Sequence, residues 1–385
     1  MIKRLGFILC VIGCPLFAPL TALAQPPSPV NGVLFAFPGS SPVPSSGRSA
    51  GLALSDLWLG HDPTRNPAAG VPRSITLSPA LVRTSRQDLR ADNRRVDEQT
   101  AFLDAGAVWL GLPVGDWAFS LYAFQPFLRR EENAFLRGDI GGPTPPAAVQ
   151  SQSTMREIKA GLAASMGVGV VRIGVAGELA RRDDEFTTIE TSGAPDAGTR
   201  RVDYSGNGVG FQIGVRADLD PSRPGAIVIG AGVRHTPAIT MEGEQRMTLV
   251  LGDSVARVSV EREAGWDGGI SARAAFGKGL GVLAGLGHQT AQEWRGFDVR
   301  SGAGSLWSLG IEYHDERDPW TFRFGLGGSQ QEDVPESRST IIGLGLGWRL
   351  GSAMLDFGLS RRGLTRADSP TSFDDRLVAS LHMPL

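Results

Sequence analysis

Cysteine is nearly missing. The 385 residues hold only Cys10 and Cys14, so nothing beyond position 14 can form a disulfide, a thiolate metal site or a cysteine nucleophile. Lysine is almost as scarce, with Lys3, Lys159 and Lys278 against 35 arginines, and the formal net charge is −2. No basic block marks a nucleic-acid surface, and the charge gives no long-range pull toward one. A long apolar run is also lacking after the first two dozen residues. The longest uncharged stretch there, Gln25 to Gly47, carries six prolines and cannot be one continuous helix. What is abundant is glycine, 51 residues, together with 25 prolines. About a fifth of the chain therefore interrupts helices, which excludes a mostly helical fold. With 41% hydrophobic and 20% charged residues, the composition fits neither a helical membrane protein nor a disordered chain.

Lys3 and Arg4 precede an apolar run from Leu5 to Leu20, and Ala22-Leu23-Ala24 before Gln25 has the small-x-small form of a signal-peptidase site. Residues 1–24 read as a cleaved export signal. A competing reading takes Val11-Ile12-Gly13-Cys14 as a lipobox and leaves a lipidated Cys14. Cleavage after Ala24 leaves a chain without thiols.

An exported chain with no apolar helix can still span a membrane as a closed β-barrel, because closure satisfies every backbone group. Its signature is period-two alternation over segments of about ten residues. In 341–350, Ile342, Leu344, Leu346, Trp348 and Leu350 share one face, and Gly343, Gly345, Gly347 and Arg349 share the other. A second alternating segment, Ala353 to Ser360, follows after only Gly351-Ser352, so the two read as a hairpin. The same pattern recurs around Trp307–His314, Trp320–Gly327, Val171–Leu179 and Val209–Arg216.

Counted along the chain, such segments give fourteen strands between 74 and 385, with twelve and sixteen as neighbouring counts. Joints near 112–115, 168–169, 219–224, 278, 315–318 and 351 are short, and most alternate joints are longer, above all 131–151 and 184–200. Short periplasmic turns alternating with longer outer loops are what an outer-membrane barrel of a Gram-negative-type bacterium requires. The fold class is thus all-β: a transmembrane antiparallel β-barrel whose partners are outer-membrane lipid and, during biogenesis, the barrel-assembly machinery. The alternating terminal strand, Phe373 to Leu385, is the expected assembly signal, although it ends in Leu385 and not in an aromatic residue. With three tyrosines, an interfacial girdle falls to Phe and to Trp109, Trp117, Trp294, Trp307, Trp320 and Trp348, which lie near strand ends or in outward registers.

By register, the lumen-facing set contains Arg172, Glu178, Arg216, Arg234, Arg273, Glu312, His314, Arg323, Arg349, Asp356 and Arg376. These read as an ion-pair network anchoring an inner segment. The sharper alternative is that some of the arginines pair with a carboxylate or phosphate on a ligand. The five histidines, His61, His235, His288, His314 and His382, lack partner motifs, and no His-Glu-x-x-His spacing occurs. Gly277-Lys278-Gly279-Leu280-Gly281 lies in strands and a hairpin turn and not before a helix, so it is no phosphate loop. The reading is non-enzymatic, with no cofactor and no metal.

Ahead of the first strand, residues 25–72 begin Pro/Ser-rich and continue through Gly47-Arg48-Ser49-Ala50-Gly51-Leu52-Ala53 to Asn66-Pro67-Ala68. Here the chain resembles the FadL-type family of hydrophobic-compound transporters, whose N-terminal segment is rich in small residues and carries an Asn-Pro-Ala motif. Val233 to Gly243 is similar to a mid-chain strand of that family. The resemblance implies a signal at 1–24, a plug at 25–72 with Asn66, Pro67 and Ala68 as its motif, and a barrel at 73–385. It implies uptake of small hydrophobic molecules such as fatty acids or hydrocarbons, which would be the ligands. The alternative within the wider superfamily is a PorV-like barrel that serves as a non-transporting adaptor in protein secretion or surface attachment.

Overall fold

The computed structural model describes residues 44–385 apart from 60–61, 70–71, 90–94, 138–146, 192–197, 221–222, 224–225, 250–251, 278, 296–298, 315–317, 333–336 and 367–368. The leader and the Pro/Ser-rich stretch lie outside the described residues.

A short helix, α1 (Gly47–Gly51), precedes the strands. Six long strands follow: β1 (Ser74–Leu89), β2 (Arg95–Val114), β3 (Trp117–Arg137), β4 (Ala147–Val168), β5 (Val171–Thr191) and β6 (Gly198–Asp218). Four staves are each split in two: β7 (Ile227–Thr236) with β8 (Ile239–Leu249), β9 (Gly252–Arg262) with β10 (Gly265–Phe276), β11 (Leu280–Gln289) with β12 (Gln292–Arg295), and β13 (Val299–Ser301) with β14 (Gly304–His314). The last four are β15 (Trp320–Gln331), β16 (Ser337–Leu350), β17 (Ala353–Arg366) and β18 (Ser369–Pro384). Adjacent staves pair antiparallel, and β18 pairs with β1 from Ser74↔Pro384 to Arg86↔Ser372. The structure is therefore a closed barrel of fourteen staves.

The outward face carries an apolar band that includes Leu162, Val175, Ile213, Leu309, Phe322 and Leu359, all exposed. Along β4 the band runs from Val168 to Ile158. At about 3.4 Å per residue and a tilt near 40°, that spans roughly 25 Å of membrane. Trp117, Trp307, Trp320 and Trp348 are in this outer set, and Trp266 joins them. Trp109 and Trp294 depart from the sequence reading, being buried inside at 6% and 1% exposure. The cause for Trp109 is a bulge: β2 gains one residue at Ala105-Gly106 opposite Pro79, with Gly106 at φ +64°, so the inward series Phe102, Asp104 becomes Ala107, Trp109. Trp294 follows a similar exchange of faces at Thr290-Ala291, where inward Gln289 gives way to inward Gln292 and Trp294.

Residues 44–59 and 62–69 are almost wholly buried within the barrel. Ser46 caps α1 by accepting a hydrogen bond from the Ser49 amide at 3.1 Å. The chain beyond α1 packs on inward glycines of the wall: a Cβ at Gly325 would strike the Leu52 carbonyl, and one at Gly343 the Ala50 oxygen. Only a side chain of zero size permits that approach. Ala53 and Leu54 turn in the left-handed region, φ 46° and 70°, a conformation that costs about 1–2 kcal/mol per non-glycine residue. Burial of Leu52, Leu54, Leu57, Trp58 and Leu59 offsets it.

Candidate functional site

Within the apolar band the ladder between β2 and β3 is cut short. Gln125-Pro126 forms a bulge in β3, opposite Ile158 of β4, and shifts the register between Phe124 and Phe127. Proline has no N–H to donate to a ladder. The β2–β3 ladder, which starts at Val114↔Trp117, ends at Ala107↔Phe124. Above that pair β2 stays joined to β1 as far as Leu89↔Arg95, and β3 to β4 as far as Arg137↔Ala147. Each sheet half keeps its outer neighbour, and no ladder joins the two halves above Ala107↔Phe124 among the described residues.

Behind the seam lies an apolar lining. Phe102 of β2 and Leu128 of β3 form one buried cluster with Ala80, Val82, Val378 and Ala50 of α1. Beside it, Asp104 accepts from the Gly106 amide at 2.8 Å and from Arg376 at 3.3 Å. The carboxylate is thus satisfied, and the buried side chains behind the seam are apolar.

Two polar clusters hold the inner segment. In one, Glu312 accepts from Arg323 at 2.8 Å and pairs with Arg48 at 3.1 Å and Arg273 at 3.7 Å, while Asp356 also accepts from Arg323. Arg48 is further bound by Asp56 at 3.2 Å. In the other, Glu178 accepts from Tyr122 at 2.9 Å and from Gln212, and pairs with Arg234 at 3.7 Å. Arg234 and Gln212 both donate to the Thr64 carbonyl of the inner segment. Burial, and then the like charge of Arg234, lower the nearby Arg65 to about 10. Arg172, Arg216 and Arg349 are half-buried or exposed; Arg172 donates to Ser165 at 3.4 Å and Arg349 lies 3.4 Å from His314.

Asn66, Pro67 and Ala68 form a tight turn against β5–β7. The Asn66 amide donates to the Trp58 carbonyl at 2.7 Å and to that of Val215 at 3.2 Å, and its oxygen accepts from the Ala68 amide at 2.9 Å. Facing glycines receive the turn, Gly174 under Pro67 and Gly214 under Asn66.

Sequence reasoning missed the seam residues Phe102, Gln125 and Leu128; the proline at 126 inside a strand was the available signal. It also passed over Gly47-Arg48-Ser49-Ala50-Gly51, which has the Gly-x-Ser-x-Gly spacing of a hydrolase elbow. The structure places that run in α1, with Ser49 buried and its hydroxyl accepting from that of Ser46 at 3.3 Å. No described histidine is hydrogen-bonded to Ser49.

No protein-family model matches the sequence, and no curated protein matches it. Solved structures do. A FadL homologue from Pseudomonas aeruginosa superimposes with a TM-score of 0.66 at 14% identity, over 89% of this chain and 99% of that one. The monoaromatic hydrocarbon channel CymD gives 0.61 at 12% identity, over 88% and 97%. The toluene transporter TbuX of Ralstonia pickettii gives 0.59 at 15% identity, over 88% and 98%. The fold is that of the FadL-type barrels.

Proposed function

We propose that the protein is an outer-membrane channel for uptake of small hydrophobic molecules, which leave the barrel sideways through the seam between β2 and β3. The observation that carries this reading is the end of the β2–β3 ladder at Ala107↔Phe124, inside the apolar band and in front of the Phe102–Leu128 lining. Burying apolar surface yields about 25 cal/mol per Å², so an apolar cargo gains little from a lumen lined by Arg323, Glu312, Glu178 and Arg234. A wall opening at membrane depth gives it a carbon-lined exit into lipid. The inner segment closes the straight route to the periplasm. The similar structures include channels and transporters for aromatic hydrocarbons, which supports the same class of cargo here. The chemistry is passage without a reaction.

The test is to close the seam. One extra residue in β3 throws its upper half out of register, since Phe124 faces Lys159 but Phe127 faces Glu157. Deleting Pro126 restores the register and the missing N–H. Uptake of radiolabelled toluene or oleate by cells carrying this variant is expected to fall about tenfold, with the protein still migrating as a folded barrel. Undiminished uptake of both compounds by a folded deletion variant would remove the lateral exit.

A further inference from the structure

The outer part of the wall from β4 to β12 is not an open cylinder. Arg262 of β9 donates to Glu157 of β4 at 2.6 Å, and the Arg182 guanidinium of β5 lies 4.4 Å from the ring centre of Trp294 on β12. Each link joins staves four apart. Staves in a sheet are about 4.8 Å from their neighbours, so these partners are roughly 19 Å apart along the wall. The wall must therefore fold inward on itself to join them. Inside the fold Met155, Phe186, Tyr204, Ile239, Met241 and Trp294 make one buried core.

This lobe has a hinge. Pro237-Ala238, Glu263-Ala264, Thr290-Ala291 and Gly302-Ala303 break four consecutive staves at adjoining positions. The register across the breaks is preserved: Gly265↔Thr236 continues as Ile239↔Arg262, and Asp267↔Gln289 as Trp294↔Arg262. The breaks thus form a crease across an intact sheet. At its edge the ladder on β6 is interrupted between Phe211↔His235 and Ser205↔Glu242. There Gly208 and Gly210 accept the close approach of Pro237. A crease edged by proline, by glycines and by an interrupted ladder is where a sheet bends with least loss of backbone bonding.

The lobe is closed by charges. Arg262 also approaches Trp294, at 5.7 Å, so two guanidiniums flank one ring. Arg182 is bound to Asp184 at 2.9 Å and Lys159 to Glu157 at 3.7 Å, while the Arg262 Nε has no hydrogen-bond partner among the described residues. A buried ionic cluster with an unmet donor holds less firmly than an apolar core of the same volume.

We propose that this lobe is an outer gate. Its four creased staves swing about the line from Pro237 to Ala303, and the Glu157–Arg262 bond with the Arg182–Trp294–Arg262 stack latches it over the lumen. The gating role rests on the uptake reading; the opening itself does not. In the closed state the latch denies cargo this sector of the outer mouth, and opening admits it.

Two experiments separate these. The chain has no cysteine after Cys14, so the pair Glu157→Cys and Arg262→Cys can be joined by a short bis-methanethiosulfonate and released with dithiothreitol. Joined cells are expected to take up radiolabelled toluene about tenfold more slowly than the same cells after release. Equal rates before and after release would make the lobe fixed structure and overturn the gate. Independently of transport, Val260→Cys inside the core is expected to react slowly with a membrane-impermeant maleimide. Adding Trp294→Leu, with Glu157 and Arg262 kept, should raise that rate about tenfold by shifting the open population. Fast labelling without the second change, or no increase with it, would show that the latch does not exist. If native cells take up no toluene, the transport reading fails and the gating role with it, while labelling still decides whether the lobe opens.

Discussion

Gly106 sits at φ +64° with the Ser78 carbonyl where a Cβ would stand. This residue decides which face of β2 points inward, and so where Trp109 goes. An L side chain here meets both an unfavourable backbone region and a steric conflict. Gly106→Ala is therefore expected to destabilise the barrel by about 1–3 kcal/mol, read as a lower urea midpoint in detergent micelles, whereas Gly177→Ala, where a Cβ would meet nothing, should leave it unchanged. The charged residues of the lumen follow a simpler logic. Glu312 and Arg323 are direct partners across β14 and β15, Asp356 of β17 meets Arg323 over Gly347 of β16, and Arg48 of the inner segment completes their set of partners. A register reading gives the faces of such residues. It cannot give the partner, because Arg48 reaches Glu312 across 264 positions of sequence.

At the scale of elements, α1 and the turns after it fill the lumen with apolar side chains while their backbone rests on wall glycines. Fourteen staves enclose more space than wall side chains can fill, and eight is about the number at which they do. Removing residues 44–69 should therefore raise single-channel conductance in a planar bilayer by about tenfold or more. Unchanged conductance would mean that the lumen is closed by something else. The strands themselves were largely legible: alternation is strict where a stave has lipid on one side, as in Trp320–Leu326. Legibility failed at Ala105-Gly106 and Gln125-Pro126, because one inserted residue exchanges the faces of everything beyond it, and at the crease, where matched breaks exchange the faces of four staves together. Glycine and proline mark these places, but both also mark ordinary turns. The seam and the lobe, on which the two proposals rest, both begin at such interruptions.

For the whole molecule, those exchanges of face divide the eight tryptophans into two sets. Trp117, Trp266, Trp307, Trp320 and Trp348 are 36–50% exposed on the outer surface, and Trp58, Trp109 and Trp294 are 1–6% exposed inside. An unbroken alternation through 98–111 and 279–294 would instead send Trp109 and Trp294 to lipid. Brominated acyl chains quench indole fluorescence only at contact, so reconstitution into brominated phosphatidylcholine distinguishes the two arrangements. Trp307→Phe is expected to lower the quenchable fraction of emission, because it removes a lipid-facing ring. Trp109→Phe is expected to raise that fraction, because it removes a sheltered one. If Trp109→Phe lowered the fraction, the bulge at Gly106 would be absent in the membrane. Alternation would then run unbroken from Phe102 and Asp104, which stay inward, and Ala107 would turn toward lipid with Trp109. The inner cluster that Ala107 and Trp109 form with Ala69, Tyr122 and Phe124 would lose both members, so this one spectroscopic ratio also bears on the packing beside the pair Ala107↔Phe124 at which the β2–β3 ladder ends.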